Sequence, residues 1–317
     1  MQAIQAQNLV KRYGSVLAVD DVSFSVAPGE IFGFLGPNGA GKSTTQRMLT
    51  GVIAPDAGDI QIFGYDLLRC PNPAKQLMGI VPEMANVYVD LSAWNNLMFM
   101  GELYGIGKKT RISRAARLLE QFNLLEKKDL KAKGFSKGMK QRLLICMAMM
   151  NDPQTLFLDE PTSGLDVQST HLIRNLLREF NARGQTIFLT THNIEEANQL
   201  CDRVAIINRG RVVAIDRPQN LKLTLQSLQS LEVAFSSPLQ SMDILYSVEA
   251  VNEVKKTGDK FRLYTNQPAR AILSVVDLAR RHNLEILSIN TLGPSLEDVF
   301  LRLTGGQEKR GAHNASC

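Results

Sequence analysis

Long apolar runs are missing from this sequence. The longest, Leu143 to Met150, has eight residues and is bounded by Arg142 and Asn151. A helix that spans a bilayer needs about 20 predominantly apolar residues, so no membrane-spanning segment is expected. The first ten residues alternate glutamine with apolar residues and lack the apolar core of a signal peptide.

Paired cysteines and blocks of basic residues are also missing. Cys70, Cys146, Cys201 and Cys317 lie far apart and form no CxxC pair, which argues against a disulfide framework or a zinc site and fits a reducing cytosol. Cys146 lies inside the apolar run, so we expect a small core residue rather than a nucleophile. The net charge is +5 without a run of five basic residues, so no nucleic-acid partner is expected.

The length of 317 residues suggests about two domains, and the first part alternates short apolar runs with helical periodicity. Runs that are apolar on both faces favour a mostly parallel, covered α/β sheet. The predicted strands are Ile31 to Leu35, Thr155 to Leu158, Thr186 to Thr190 and Arg203 to Ile207, and the predicted helices are Ser43 to Leu49, Ser169 to Arg183 and Ile194 to Cys201.

A mainly helical insertion is predicted at about residues 86–140, because Leu91 to Tyr104 and Ile112 to Gln121 have helical spacing and little strand signal. Val87, Tyr88 and Leu91 are apolar residues in a predicted exposed loop near its start. We expect these three residues to form a docking surface.

The residues after Asp216 predict a second, smaller α+β domain of the ferredoxin-like βαββαβ type. Ser295 and Asp298 resemble a capping box that opens a last helix. The predicted domains are residues 1–217, 218–304 and a disordered tail, 305–317. The predicted elements are helix Pro218 to Gln226, strands Leu231 to Phe235, Val248 to Lys255 and Lys260 to Tyr264, helix Pro268 to His282 and strand Glu285 to Ile289.

Residues 36–44 fit the pattern GxxxxGKS/T, after a predicted strand and before a predicted helix, as in a phosphate-binding loop. Glycines let the backbone wrap phosphates, and the amides at a helix start provide positive potential. Lys42 adds a charge for the β- and γ-phosphates, and Ser43 offers a hydroxyl to Mg²⁺. The predicted nucleotide contacts here are Gly36, Pro37, Asn38, Gly39, Ala40, Gly41, Lys42, Ser43 and Thr44.

Two carboxylates, Asp159 and Glu160, directly follow the predicted strand at Thr155. Acids at the carboxyl end of a buried strand point into the crevice where α/β sheets bind ligands. Because adjacent strand residues face opposite ways, Asp159 is predicted to hold Mg²⁺ through water, and Glu160 to act as general base on the attacking water. A solvated turn is the alternative for an isolated pair; the phosphate loop favours the site.

Further segments resemble motifs of the ATP-binding cassette (ABC) ATPases. Phe135 to Arg142 resembles their signature motif, Pro161 to Asp166 their D-loop, Thr190 to His192 the switch histidine, and Tyr13 the aromatic residue that stacks on adenine. The order and spacing match over residues 1–217. The resemblance implies that Ser136 and Gly138 reach phosphate and that His192 senses the γ-phosphate. A strand-end role for Tyr13 and a capping or core role for His192 are the alternatives.

The remainder resembles the daunorubicin-resistance and sodium-export type of these ATPases, notably Pro294 to Gly305. There are two departures from the superfamily pattern. Glu83 stands where most members have Gln; its carboxylate can still ligate Mg²⁺, and a surface glutamate is the alternative. The signature reads Ser-Lys-Gly-Met-Lys instead of the frequent Ser-Gly-Gly-Gln, yet it retains Ser136 and Gly138.

The resemblance implies an ATPase subunit, peripheral on the cytoplasmic face of the membrane, that powers export of a drug, lipid, polysaccharide or ion through a separate permease. It also implies a homodimer in which each ATP lies between the phosphate loop of one copy and the signature of the other. A soluble ABC ATPase acting on nucleic acid or ribosomes is the alternative, disfavoured by the single phosphate loop and the lack of heptads. Intact Lys42, Asp159, Glu160 and His192 disfavour a regulatory paralogue without turnover.

Overall fold

The structure is a computed structural model that describes residues 1–84, 86–224, 229–237, 239 and 242–305. The chain divides into two compact units, of which the first ends at Pro218 and the second begins at Gln219. Within the described part, no helix is both long and apolar enough to cross a membrane. Of the predicted disordered tail, 305–317, residues 306–317 lie outside the described residues, and so does the predicted helix end at Gln226.

The first unit combines two sheets with flanking helices. Its strands are β1 (Ile4–Tyr13), β2 (Val16–Val26), β3 (Ile31–Leu35), β4 (Ala57–Ile62), β5 (Tyr65–Asp66), β6 (Met78–Val81), β7 (Thr155–Asp159), β8 (Thr186–Thr191), β9 (Arg203–Asn208) and β10 (Arg211–Asp216). Its helices are α1 (Lys42–Leu49), α2 (Pro71–Gln76), α3 (Ala93–Leu103), α4 (Lys108–Gln121), α5 (Lys137–Ala148), α6 (Val167–Ala182) and α7 (Ile194–Leu200).

The larger sheet has the order β10-β9-β3-β8-β7-β6, and all of its pairs are parallel except β9 with β10. Every residue of β3, β7 and β8 is buried, because helices cover one face and the other sheet the opposite face. Phe24 of β2 stacks on Phe32 of β3 with ring centroids 5.4 Å apart. The predicted parallel sheet is confirmed, and its carboxyl ends share one edge.

The smaller sheet, with the order β2-β1-β4-β5, is antiparallel and was not predicted from the sequence. Its first pair has register shifts between Ala6 and Leu9, and Asn8 lies in the left-handed region with φ of 49°. Such a bulge interrupts the two-residue alternation by which a half-buried strand is recognised.

The predicted insertion contains α3, α4, two short 3-10 turns at Leu125–Lys127 and Ala132–Gly134, and the first turn of α5. The side chain of Ser92 caps α3, since Ser92 Oγ accepts from Asn95 N at 3.1 Å. Helix α3 therefore begins two residues after the predicted Leu91.

The second unit is built on one antiparallel sheet with the order β12-β13-β11-β14. This is the strand order of a ferredoxin-like βαββαβ unit, as predicted. The capping box is also confirmed, since Ser295 Oγ accepts from Asp298 N at 3.1 Å and Asp298 Oδ2 accepts from Ser295 N at 2.8 Å. The elements are α8 (Pro218–Leu223), β11 (Gln229–Phe235), α9 (Asp243–Tyr246), β12 (Glu253–Thr257), β13 (Lys260–Thr265), α10 (Pro268–Arg281), β14 (Ile286–Leu292) and α11 (Leu296–Gly305).

One predicted strand in this unit, Val248 to Lys255, is wrong over its first half. Val248 is buried at a turn that follows α9, and Ala250 has φ of 66°, which an extended strand does not allow. The apolar residues that resembled a strand therefore reach the core from a turn, and β12 begins only at Glu253.

Candidate active site

The carboxyl ends of β3, β8, β7 and β6 lie side by side, so the segments that follow them converge at one edge of the sheet. A cavity of about 460 Å³ opens there. Ser163 and Ala18 also line it and were not predicted. The predicted site residues on its wall are Pro37, Asn38, Gly39, Gly41, Lys42, Ser43, Thr44, Glu83, Glu160 and His192.

The loop between β3 and α1 has glycine at two positions, Gly36 and Gly41, where no larger residue fits. Gly41 has φ of 104°, and a Cβ built on it would lie 2.5 Å from the carbonyl oxygen of Ala18. A Cβ on Gly36 would lie 2.5 Å from the carbonyl oxygen of Ile207. The backbone therefore passes close to neighbouring main chain, and it turns directly into α1 with Lys42 as the first helical residue.

Lys42 is held at the floor of the cavity. Its Nζ donates to the carbonyl oxygens of Gly36 at 2.8 Å and Pro37 at 3.2 Å, and it lies 3.4 Å from Glu160 Oε1. The side chains of Lys42 and Glu160 are only 6% and 8% exposed. A buried ion pair of this kind is sensitive to removal of either member, because the other charge is left uncompensated.

The carboxylate of Glu160 contacts both Lys42 and His192. Its other oxygen, Oε2, lies 2.9 Å from His192 Nδ1, and the imidazole is 51% exposed. Glu160 has φ of 49°, in the left-handed region, and its backbone N donates to the carbonyl oxygen of Thr190 at 3.1 Å. Each carboxylate oxygen therefore has a separate partner, and a half-exposed imidazole on the cavity wall is not a core histidine.

Asp159 and Ser43 form a pair of hard oxygen donors beside the loop. Ser43 Oγ donates to Asp159 Oδ1 at 3.3 Å, and Thr190 Oγ1 donates to the same oxygen. Among the described residues, no group of three or more His, Cys, Asp and Glu side chains could hold a metal alone. Mg²⁺ typically takes only one or two carboxylates, with the rest of its shell from phosphates and water, so this pair fits Mg²⁺ bound with a nucleotide.

Tyr13, Ser136 and Gly138 do not line the cavity. Tyr13 ends β1 with 47% of its surface exposed. Ser136 caps α5, since its Oγ accepts from Met139 N at 3.2 Å. A Cβ on Gly138 would lie 2.5 Å from Ser169 Oγ, so the start of α5 packs closely against the first turn of α6.

Two groups outside the cavity, Asp166 and Cys146, have shifted pKa values with clear physical causes. Hydrogen bonds from the backbone N and the hydroxyl of Ser169, at 2.8 and 2.9 Å, hold the pKa of Asp166 below its usual value. Complete burial raises the pKa of the Cys146 thiol well above its usual value. Cys146 is fully buried in α5, so the expectation of a small core residue is confirmed.

Comparison with known proteins agrees with this arrangement. A family model described as ABC transporter matches residues 19–163. The chain is 37% identical over 305 residues to the linearmycin resistance ATP-binding protein LnrL of Bacillus subtilis (strain 168), with 95% of this chain and 98% of that protein covered. The chain belongs to the ATP-binding proteins of the ABC transporter family.

Further similarities extend over most of this ABC ATPase. It is 40% identical over 305 residues to the Nod factor export ATP-binding protein I of Paraburkholderia xenovorans (strain LB400), covering 96% of this chain and 97% of that protein. A solved structure described as the ATP binding subunit of an ABC transporter superposes with a TM-score of 0.65 at 31% identity, covering 70% of this chain and 93% of that one. The ABC ATPase binds and hydrolyses ATP, and the predicted fold class is confirmed.

Proposed function

We propose that this ABC ATPase powers export of a substrate through a separate membrane permease, from the cytoplasmic face of the membrane. The single observation that carries the proposal is the convergence of Lys42, Glu160 and His192 on one cavity in a chain that aligns along nearly its whole length with transporter subunits. One relative is named for linearmycin resistance and the other for Nod factor export.

The cavity residues support a division of labour in hydrolysis. Lys42 neutralises the β- and γ-phosphates, and Glu160 accepts the proton of the attacking water. His192 fixes the carboxylate of Glu160 and contacts the γ-phosphate. Ser43 and Asp159, with Glu83 on the cavity wall, would hold Mg²⁺, which neutralises charge on the phosphates when it is bound.

We further propose that two copies act together as a homodimer. The signature residues Ser136 and Gly138 lie at the start of α5 and do not line the cavity of their own chain. A second copy can bring this helix start to the exposed side of the nucleotide, where backbone amides favour phosphate. Tyr13, with its half-exposed ring, is the proposed stacking partner of adenine.

The proposed contact with the permease lies in the loop after Glu83. Tyr88 is 43% exposed, and its ring meets Phe99 edge-on at 5.0 Å. The buried side chain of Asn96 fixes this loop by accepting from Tyr88 N at 2.9 Å and donating to Tyr88 O at 3.1 Å. Val87, which was predicted to be exposed, is instead buried, so we retain Tyr88 as the centre of the surface.

Tyr88→Asp is expected to abolish substrate export while basal ATP hydrolysis stays within about twofold. An anchoring aromatic contributes about 2 kcal/mol to an interface, or ~30-fold in Kd, whereas Tyr88 does not touch the nucleotide cavity. The measurement is substrate export and ATPase activity after reconstitution with the membrane protein that co-purifies with the chain. Tyr65→Asp is the matched control, because Tyr65 has 45% exposure on β5. Normal export by the Tyr88→Asp variant would show that this surface does not contact the permease. If no membrane protein co-purifies with the chain, the export proposal fails.

We propose that residues 1–217 form the ATP-binding domain and residues 218–304 an accessory domain that stabilises the dimer. The second unit has its own core around Leu231, Leu263 and Val275, and no residue beyond His192 lines the nucleotide cavity within the described part of the chain. The accessory domain can therefore add interface area without changing the chemistry.

A chain truncated after Arg217 is expected to bind ATP with a Kd within about threefold of the full chain and to dimerise less tightly, since area is lost only from the second unit. Nucleotide titration and analytical ultracentrifugation measure the two quantities. A folded, soluble truncation that fails to bind ATP would place the functional boundary elsewhere.

A further inference from the structure

A buried carboxylate lies behind the cavity and has no part in the chemistry described so far. Glu196, on α7, is only 1% exposed. Its Oε1 accepts from the hydroxyl of Thr162 at 2.6 Å, and the same oxygen lies 3.8 Å from Arg174 Nε on α6. Neither Thr162 nor Glu196 lines the cavity.

The two ends of this contact belong to the two segments that carry the catalytic pair. Thr162 comes two residues after Glu160, and Glu196 comes four residues after His192. The backbone N of Glu196 also donates to Asn193 Oδ1 at 3.1 Å, and Asn193 N donates to Thr191 Oγ1 at 3.0 Å. The main chain of Glu196 thus fixes the turn that follows His192, while its side chain fixes the turn that follows Glu160.

The hydrogen bond between Thr162 and Glu196 lies beyond the end of the sheet, where strand pairing no longer holds the two segments together. The ladder between β7 and β8 ends with Asp159 opposite Thr190, and the last main-chain bond across the gap is from Glu160 N to the carbonyl oxygen of Thr190. Beyond this bond the two segments separate and lead into different helices, α6 and α7. A short hydrogen bond to a buried carboxylate is stronger than a neutral one, so it can hold these diverging segments in register.

Stability alone is a poor reason for an acid at this position. Replacing buried ion pairs by apolar residues is often neutral or stabilising, and among the described residues Arg174 Nε finds no hydrogen-bond partner. The Glu196 carboxylate instead supplies a directed hydrogen-bond acceptor for the hydroxyl of Thr162.

We propose that Glu196 is a positioning residue for ATP hydrolysis, acting through Thr162 to keep Glu160 Oε2 at its 2.9 Å separation from His192 Nδ1. This inference rests on the proposed roles of Glu160 and His192 and is independent of export. Because a displacement of about 1 Å in a catalytic group can cost up to 10²-fold in rate, the contact should affect turnover and leave ATP affinity unchanged.

The test measures kcat and the Kd for ATP of the full chain, with activity normalised to the folded fraction. Thr162→Val and Glu196→Ala are each expected to lower kcat about tenfold and to leave the Kd within twofold. Thr162→Ser and Glu196→Gln, which retain a hydroxyl donor and an oxygen acceptor, should keep most of the activity. Thr155→Val is the matched control, because Thr155 is a fully buried threonine at the other end of β7 whose hydroxyl has no partner within the described residues.

A second arm separates positioning from a general structural loss. In a Glu160→Gln background the side chain to be positioned is no longer a base, so adding Thr162→Val should change the residual rate by less than about twofold. A further tenfold fall, or a parallel loss of ATP affinity in the single variants, would overturn the inference. If Glu160→Gln alone leaves hydrolysis intact, the proposed base is wrong. If it abolishes hydrolysis and Thr162→Val is silent, only the positioning role fails.

Discussion

Glu160→Gln is expected to lower the turnover number for ATP hydrolysis by about 10²–10⁴-fold, the usual contribution of a positioned base. Glutamine has the same shape and keeps an oxygen for His192 Nδ1, now 2.9 Å from Glu160 Oε2, but it cannot accept the proton of water. Lys42 Nζ keeps its hydrogen bonds to the carbonyl oxygens of Gly36 and Pro37, so ATP binding should persist. Single-turnover hydrolysis and equilibrium ATP binding measure the two effects.

Glu30→Gln is the matched control for this substitution. Glu30 is likewise 8% exposed and pairs with Arg203 at 3.2 Å, but it lies before β3, at the opposite edge of the sheet from the cavity. Its substitution should leave turnover within about twofold. Hydrolysis by Glu160→Gln at the rate of the unmodified chain would assign the base to another group.

The same variant should accumulate as an ATP-bound dimer, because the nucleotide that joins the two copies is bound and not cleaved. ATP can favour the dimer only if the dimer makes contacts with ATP that the monomer lacks. Size-exclusion chromatography with Mg-ATP at micromolar protein detects the dimer. A monomer under saturating ATP would count against the shared site.

Lys42→Ala is expected to abolish hydrolysis and to weaken ATP binding by more than about 100-fold, since charge-assisted hydrogen bonds contribute about 1.5–3 kcal/mol each. The substitution also leaves the buried carboxylate of Glu160 without its cation at 3.4 Å. Breaking a buried pair from one side costs about 3–5 kcal/mol of stability. The expected result is therefore both a loss of function and a lower free energy of unfolding.

The double variant Lys42→Ala/Glu160→Gln separates these effects. It removes both charges, so we expect it to recover much of the lost free energy of unfolding in urea titrations while remaining inactive. Unchanged steady-state ATPase activity in Lys42→Ala would refute the phosphate-loop assignment. A double variant no more stable than Lys42→Ala would mean that the ion pair is not the source of the instability.

The features predicted correctly are those encoded in contiguous sequence. A buried strand, a glycine-rich turn and a helix start are neighbours in the chain, so the position of Lys42 relative to β3 could be predicted, and so could that of Glu160 relative to β7. The capping box at Ser295 is equally local.

The features that were missed depend on contacts between distant segments or on backbone irregularities. The hydroxyl of Thr190 donates to Asp159, 31 residues away in sequence, and the hydroxyl of Thr162 donates to Glu196, 34 residues away. No sequence periodicity predicts either hydrogen bond. Threonine at the end of an otherwise apolar strand was the available hint for Thr190. The antiparallel sheet was missed because the bulge at Asn8 breaks the alternation of β1, which local patterning treats as the end of a strand.

The left-handed backbone of Glu160, with φ of 49°, ties the cost of one turn to the charge that this position carries. A side chain with a Cβ costs about 1 kcal/mol in this conformation relative to glycine. Glycine would remove that cost, but it would also leave Lys42 without the carboxylate that lies 3.4 Å from its Nζ, a loss of about 3–5 kcal/mol. The ion pair therefore outweighs the backbone cost, so a glycine at position 160 should lower both the melting temperature and the rate of ATP hydrolysis.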